Sequence, residues 1–427
     1  MTPACAKIER SVMTTEEQKL LGDVLAAGRL TVDAIAGVSD IAEGLHHAII
    51  TVGGVLSANA PALDRKTTPV NKRTGGISGL VYRSIRQVNG LLGFGLDVLI
   101  PRLTSKITDN QSAPGRAAVV SALNGVLGDH LERKGNPLAI AMAFCRDGKA
   151  LDNNELRALL AGQQRIAIFV HGLCMNDQQW TRKGHNHGDA LADEQGFTAL
   201  YLRYNSGLHT SENGRAFAHL LEQISDCVQA DTEFYIVAHS MGGLVSRSAC
   251  HYGVQEAQRW PQQLRKLVFL GTPHHGAVLE RGGNWIDVLL DTNPYSSPFA
   301  RLAKIRSSGI TDLRYGNVVD EDWNGCDRFD MAGDTRMPIP LPQGVACYAI
   351  AATTSVDAHP VINSVIGDGL VSVSSALGRH RDPSRHLGFD DDHQWLGQGV
   401  NHMALLNRPE VYEVLKSFLA SSPGVSQ

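Results

Sequence analysis

Five short apolar runs in the second part of the chain limit its fold more than any other feature. RIAIFV (165–170), ALYLRY (199–204), EFYIVAH (233–239), KLVFLG (266–271) and ACYAIAA (346–352) are continuous runs, with no alternation of apolar and polar residues. A strand of that kind must be covered on both faces, which is the situation of a parallel strand inside an α/β sheet. Helically patterned stretches at 213–228 and 242–260 lie before the third and fourth runs. Strands alternating with helices predict a doubly wound, mostly parallel sheet with ligands at the carboxyl ends of its strands. Just upstream, LAIAMAFCRDGKALD places two short apolar segments around Asp147-Gly148, a pair suited to a tight hairpin turn, and a short helix is expected at 153–161.

The whole chain has 427 residues, enough for a large α/β domain with attachments. Its 39 basic and 43 acidic residues leave a net charge of −4, so bulk electrostatics give no reason to expect a nucleic-acid partner. Seven cysteines without short paired spacings read as reduced thiols in a core, and neither a disulfide framework nor a zinc site is expected. The start MTPACAKIERSV lacks the apolar run of a secretory signal, and HHAIITVGGVLSANAPAL falls short of a membrane span. The expected location is cytoplasmic, with peripheral attachment to a membrane as an option.

The charge is unevenly spread. Residues 65–106 carry eight basic residues against the single acid Asp97, with apolar residues at helical spacing between them. Two readings stay open: a basic amphipathic segment resting on an anionic membrane surface, or a helical layer packed on the main domain with solvated arginines. Residues 15–55 and 117–134 are also helical in pattern. Residues 1–135 are thus expected to form an α-helical module and residues 136–427 the catalytic domain.

Chemistry concentrates around Ala238-His239-Ser240-Met241-Gly242-Gly243, which closes the third run and opens a helical stretch. A serine on such a strand-to-helix turn projects its hydroxyl from the sheet, and small residues two places either side allow the close approach of the two backbones. The plainer role for a serine there is a helix N-cap. A serine hydroxyl attacks a carbonyl only if a base takes its proton and an acid orients the base. The acid is expected at Asp368, in the glycine-flanked turn IGDGL, and the base at His402, just before a C-terminal helix. Asp287, His386 and His393 are rivals for those two places. Donors for an oxyanion are expected from the backbone amides of Leu173, after the turn FVHGL, and of Met241. His171 is expected to stabilise that turn. Gly271-Thr272-Pro273-His274-His275-Gly276 pairs two histidines without the spacing of a metal site, so no metal and no cofactor are expected. The long connection 277–345, with its aromatic and aliphatic residues, is expected to form a lid or cap.

FVHGL, AHSMGGL, LGTPHHGA, GDGLVSVSSA and NHMALL together resemble the α/β-hydrolase superfamily, and within it bacterial lipases and the GPI inositol-deacylase-like lipase group. The resemblance spans about residues 138–420 and leaves the first 135 unexplained. It implies the α/β-hydrolase fold with a lid insertion, Ser240 as nucleophile, Asp368 as acid, His402 as base, and Leu173 with Met241 as the oxyanion hole. Some bacterial lipases bind calcium through an Asp two residues after the catalytic histidine. Ala404 stands there, so calcium is not implied. The expected activity is hydrolysis of a hydrophobic carboxylic ester. An acyltransferase or thioesterase using the same three residues, or a non-catalytic binding protein on the same scaffold, are the alternatives.

Overall fold

The structure is a computed structural model, and it describes residues 114–277, 307–325, 334–356 and 367–420. The helical stretches expected at 15–55 and 65–106, most of the expected lid, and Asp287 lie outside the described residues. Among the described residues no helix is long and apolar enough to cross a membrane.

Eight strands form one sheet: β1 (Ala143–Arg146), β2 (Lys149–Ala150), β3 (Arg165–Val170), β4 (Thr198–Arg203), β5 (Glu233–His239), β6 (Leu264–Leu270), β7 (Ala346–Thr353) and β8 (Gln394–Gln398). Their order is β2-β1-β4-β3-β5-β6-β7-β8. The β1 strand is antiparallel to both neighbours, and every pairing from β4 to β8 is parallel. Among the described residues the helices are α1 (Pro114–Arg133), α2 (Asn153–Leu160), α3 (His187–Gln195), α4 (Thr210–Ser225), α5 (Met241–Gln255), α6 (Ser308–Asp312), α7 (Val373–Ala376) and α8 (Pro409–Ala420). This is the mostly parallel α/β sheet that the apolar runs and their intervening helices imply, in the α/β-hydrolase form that the resemblance implies.

Local chemistry sets the element ends. Asp147 and Gly148 both take positive φ (51° and 75°), the backbone that a two-residue hairpin needs. Asp152 caps α2 by accepting from the amides of Asn154 and Glu155, while Glu155 accepts from the Asp152 amide, closing a capping box. The apolar runs then fill both faces of the sheet: Ile166 to Val170, Phe234 to Ala238 and Leu267 to Leu270 are all buried.

Helix α1, expected from the sequence at 117–134, is held to the sheet side of the molecule by buried polar contacts. Asn205 donates to the Gly128 carbonyl (3.0 Å), Asn176 to Ser121 Oγ (3.2 Å), and Ser307 to the Gly125 carbonyl (2.6 Å). Gly125 is obligatory there, since an added Cβ would lie 2.2 Å from Cys174 Sγ. The same segment, 307–325, is held again by Asp312, which accepts from His209 Nδ1 (3.1 Å) and the Thr210 amide (2.8 Å).

The hairpin is locked by a buried ion pair. Arg203 on β4 meets Asp177 through Nε (2.6 Å) and Nη2 (3.0 Å), and Nη2 also donates to the Gly148 carbonyl. Removing the carboxylate leaves a buried guanidinium unpaired. Asp177→Ala should therefore lower unfolding stability by about 3–5 kcal/mol in urea denaturation. A loss below about 1 kcal/mol would mean that the pair is idle.

Candidate active site

The parallel register brings the ends of β3, β5, β6 and β7 to one level. Val170 stands beside Ala238, and His239 beside Leu270. The ladder runs past the strand ends, with the Ser240 amide donating to the Leu270 carbonyl and the Gly271 amide to Ile350, each at 2.9 Å. Ser240 occupies the turn between β5 and α5 with φ 55° and ψ −126°, a strained backbone for a residue with a Cβ. Its side chain makes no capping bond to the helix. The N-cap role is thus set aside, and something else must account for the strain.

Glycines make room for the turn. A Cβ on Gly242 would lie 2.4 Å from the Val170 carbonyl oxygen, and one on Gly172 would lie 2.9 Å from Ser240 Cβ. The sequence pattern anticipated the first of these, and the second arises because the β3 loop folds directly over the serine. Leu173, next after Gly172, and Met241, next after Ser240, are both buried, and no hydrogen-bond partner is present for either amide among the described residues. Met241 begins α5, where amides have no acceptor within the helix.

Asp368 and His402 are brought together. His402 Nδ1 lies 2.6 Å from Asp368 Oδ2, and both side chains are almost wholly buried. The other carboxylate oxygen accepts from the amides of Leu370 (3.0 Å) and Val371 (2.8 Å), and the His402 amide donates to the Asp368 carbonyl. Gly367 allows this turn, with φ 55° and no space for a Cβ against the Val371 carbonyl. Gly271, at the end of β6, passes so close that a Cβ would lie 3.0 Å from Asp368 Oδ2 and 3.2 Å from His402 Cε1. With Nδ1–H given to the carboxylate, His402 Nε2 is left as an acceptor, and it has no hydrogen-bond partner. Such a nitrogen can take a proton from an alcohol brought against it.

One neighbour was not anticipated from sequence. His239, the residue before Ser240, reaches across to the His402 carbonyl with Nε2 (3.2 Å), its ring 4.6 Å from that of His402. Burial, with His402 adding to it, pushes its pKa well below the usual histidine range, so it stays neutral and acts as a spacer. His171 is fully buried, contacts the Gly172 carbonyl at 2.8 Å and stacks on Tyr204, as a turn-holding residue should. Of the rivals, His393 is bonded to the Cys347 carbonyl before β8, and His386 ends a short 3₁₀ turn.

Burial also lowers the pKa of His171 and His187 to about 4. These groups stay neutral in the folded chain while the unfolded chain takes up protons below about pH 6.5. Stability should therefore be intact at pH 7 and fall as the pH drops from 6.5 toward 4, by on the order of 1–2 kcal/mol per histidine at pH 5. Urea midpoints measured at pH 7 and pH 5 check this, and equal midpoints would contradict it.

Residues 161–335 match the family model described as the PGAP1-like alpha/beta domain. No curated protein sequence matches the chain. Among solved structures, the mature lipase BlEst2 of Bacillus licheniformis is similar at 17% identity and a TM-score of 0.40, covering 65% of this chain and 98% of that one. Lipase B of Aspergillus fumigatus is similar at 14% identity and a TM-score of 0.39, covering 64% and 59%. The phospholipase PlaB of Legionella pneumophila is similar at 17% identity and a TM-score of 0.33, covering 50% and 45%.

Proposed function

We propose that this chain, an α/β-hydrolase by fold, is a serine ester hydrolase that cleaves hydrophobic carboxylic esters through an acyl-enzyme. The observation that carries the reading is the strained, uncapped Ser240 at the same strand-end level as the buried Asp368–His402 pair. In this reading His402 Nε2 takes the Ser240 proton as Oγ bonds to the ester carbonyl carbon. The oxygen of that carbonyl becomes an alkoxide, and the amides of Leu173 and Met241 receive it. Collapse breaks the bond to the leaving alcohol, which gains the proton from His402. Water then repeats the sequence on the acyl-serine and releases the acid.

Asp368 holds the imidazole in the tautomer with Nδ1–H and offsets its charge when protonated. Ser240 and His402 are not hydrogen-bonded to each other in this structure, since His402 Nε2 has no partner. Contacts of this kind often tighten only with substrate in place. A thioesterase or acyltransferase would use the same first half-reaction and differ only in the group attacked or the second nucleophile.

The test is a series of p-nitrophenyl esters from acetate to palmitate, followed by stopped flow. Turnover of at least one ester is expected, with hydrolysis prevailing when an alcohol acceptor is added at low concentration. Absence of turnover across the series would remove the ester hydrolase reading, and preferential transfer to the alcohol would favour the acyltransferase.

A further inference from the structure

A second polar centre lies on the far part of the loop that follows β6. A cleft of about 280 Å³, its open mouth included, is lined by Arg247 of α5, His274 and His275, Asp322, Arg336 and Arg385, among others. Two of its three guanidinium groups are paired. Asp334 takes Arg336 through both carboxylate oxygens (2.9 and 2.8 Å) and also Arg385 (3.2 Å). Arg336 also donates to the carbonyls of His274 and Gly316 and faces His275 Nδ1 at 3.4 Å. Asp322, the acid of the lining, is occupied by three backbone amides, those of Val318, Val319 and Met337. Arg385 also meets Asp382 (3.6 Å), so both it and Arg336 have a carboxylate partner.

Arg247 is the exception. It is only 4% exposed, and no carboxylate pairs with it among the described residues. One terminal nitrogen donates to the Ile339 carbonyl and the other faces His274 Nδ1 at 3.5 Å, while Nε has no partner. A guanidinium can only donate, so His274 Nδ1 is the acceptor and Nε2 carries the hydrogen. That second buried donor also has no acceptor. Buried cations and buried donors are rarely left in this state.

We propose that this cleft binds a small oxyanion of one negative charge, the class that includes a phosphodiester, dihydrogen phosphate and a carboxylate. Such a group supplies the missing counter-charge for Arg247, whose side chain lines the cleft. The guanidinium fork suits an oxyanion better than a halide. Burial and the neighbouring Arg336 lower the Arg247 pKa to about 10, as a cation awaiting its partner should show. The site is also tied to the strand-end site: α5 starts at Met241 and carries Arg247, and three residues separate Gly271 from His275.

The test is a thermal-shift and calorimetric titration of the full chain at constant ionic strength, with chloride as the balancing ion. The probes are inorganic phosphate, acetate and glycerophosphocholine, the last being a lipid headgroup phosphodiester without acyl chains. Saturable stabilisation by at least one oxyanion is expected. Tighter binding of glycerophosphocholine assigns the ligand to a lipid headgroup, and tighter binding of phosphate or acetate to a free anion. Arg247→Gln should abolish the oxyanion-dependent shift. Arg247→Lys, which keeps the charge and loses the fork, should weaken it about tenfold and serves if the glutamine variant does not fold. Hydrolysis of a soluble ester should stay within about twofold in either variant, because Arg247 is not placed among the reacting groups. No saturable shift with any of the three, or equal shifts in wild type and both variants, would overturn the site. The readout does not require Ser240 to be a nucleophile, so failure here and failure of the ester reading are separable.

Discussion

Ester turnover should fall by about 10⁶ in Ser240→Ala and by a similar factor in His402→Ala, with the double variant little worse than either. The reason lies in how the two groups depend on each other. Without His402 Nε2 the serine hydroxyl keeps its proton, and without Ser240 the imidazole has nothing to deprotonate. The amides of Leu173 and Met241 remain in both variants, so a residue of catalysis above the uncatalysed rate should persist. The serine change should cost the fold little, whereas His402→Ala leaves the buried Asp368 carboxylate without its imidazole. Ser240 makes no capping bond, and alanine at φ 55° keeps the strain already present. Burst-phase and steady-state kinetics on the best ester of the p-nitrophenyl series measure the loss. Additive losses in the double variant would mean that the two residues act separately.

Asp368→Asn should cost roughly 10⁴ in kcat with little change in KM. The structure gives the direction of this effect. One oxygen of Asp368 is anchored by two backbone donors, Leu370 and Val371. An asparagine must keep its carbonyl oxygen there, because its NH₂ cannot accept from those amides. The NH₂ then faces His402 Nδ1, which must become an acceptor, and the ring hydrogen moves to Nε2. The base is lost while shape and volume are kept. Asp368→Ala should be at least as damaging and should also loosen the 367–371 turn. A full-rate Asp368→Asn enzyme would show that His402 is oriented by some other group.

Much of this was readable in the sequence because it is local. The apolar runs gave β3 and β5 to the residue, and Asp147-Gly148 gave the hairpin, since turn chemistry and two-faced burial act over a few residues. The serine turn was legible for the same reason: strand, small residues and helix are contiguous. Strand β8 was not, because QWLGQ is a polar, half-exposed edge strand that pairs with β7 through its backbone. Asp368 and His402 could be ordered along the chain, but their 2.6 Å contact depends on where β6 and β7 end. Gly172, Gly271 and His239 matter only through neighbours distant in sequence. The cleft around Arg247 was invisible, as its residues are spread from 247 to 385 and share no spacing.

The most direct measurement of the central claim is covalent labelling by a long-chain fluorophosphonate, read by intact mass and peptide mapping. The wild-type chain should take up one phosphonyl group, on the peptide containing Ser240. His402→Ala should label far more slowly, because its serine is no longer deprotonated. An unlabelled wild-type chain that turns over none of the esters, or one labelled on a residue other than Ser240, would contradict the account.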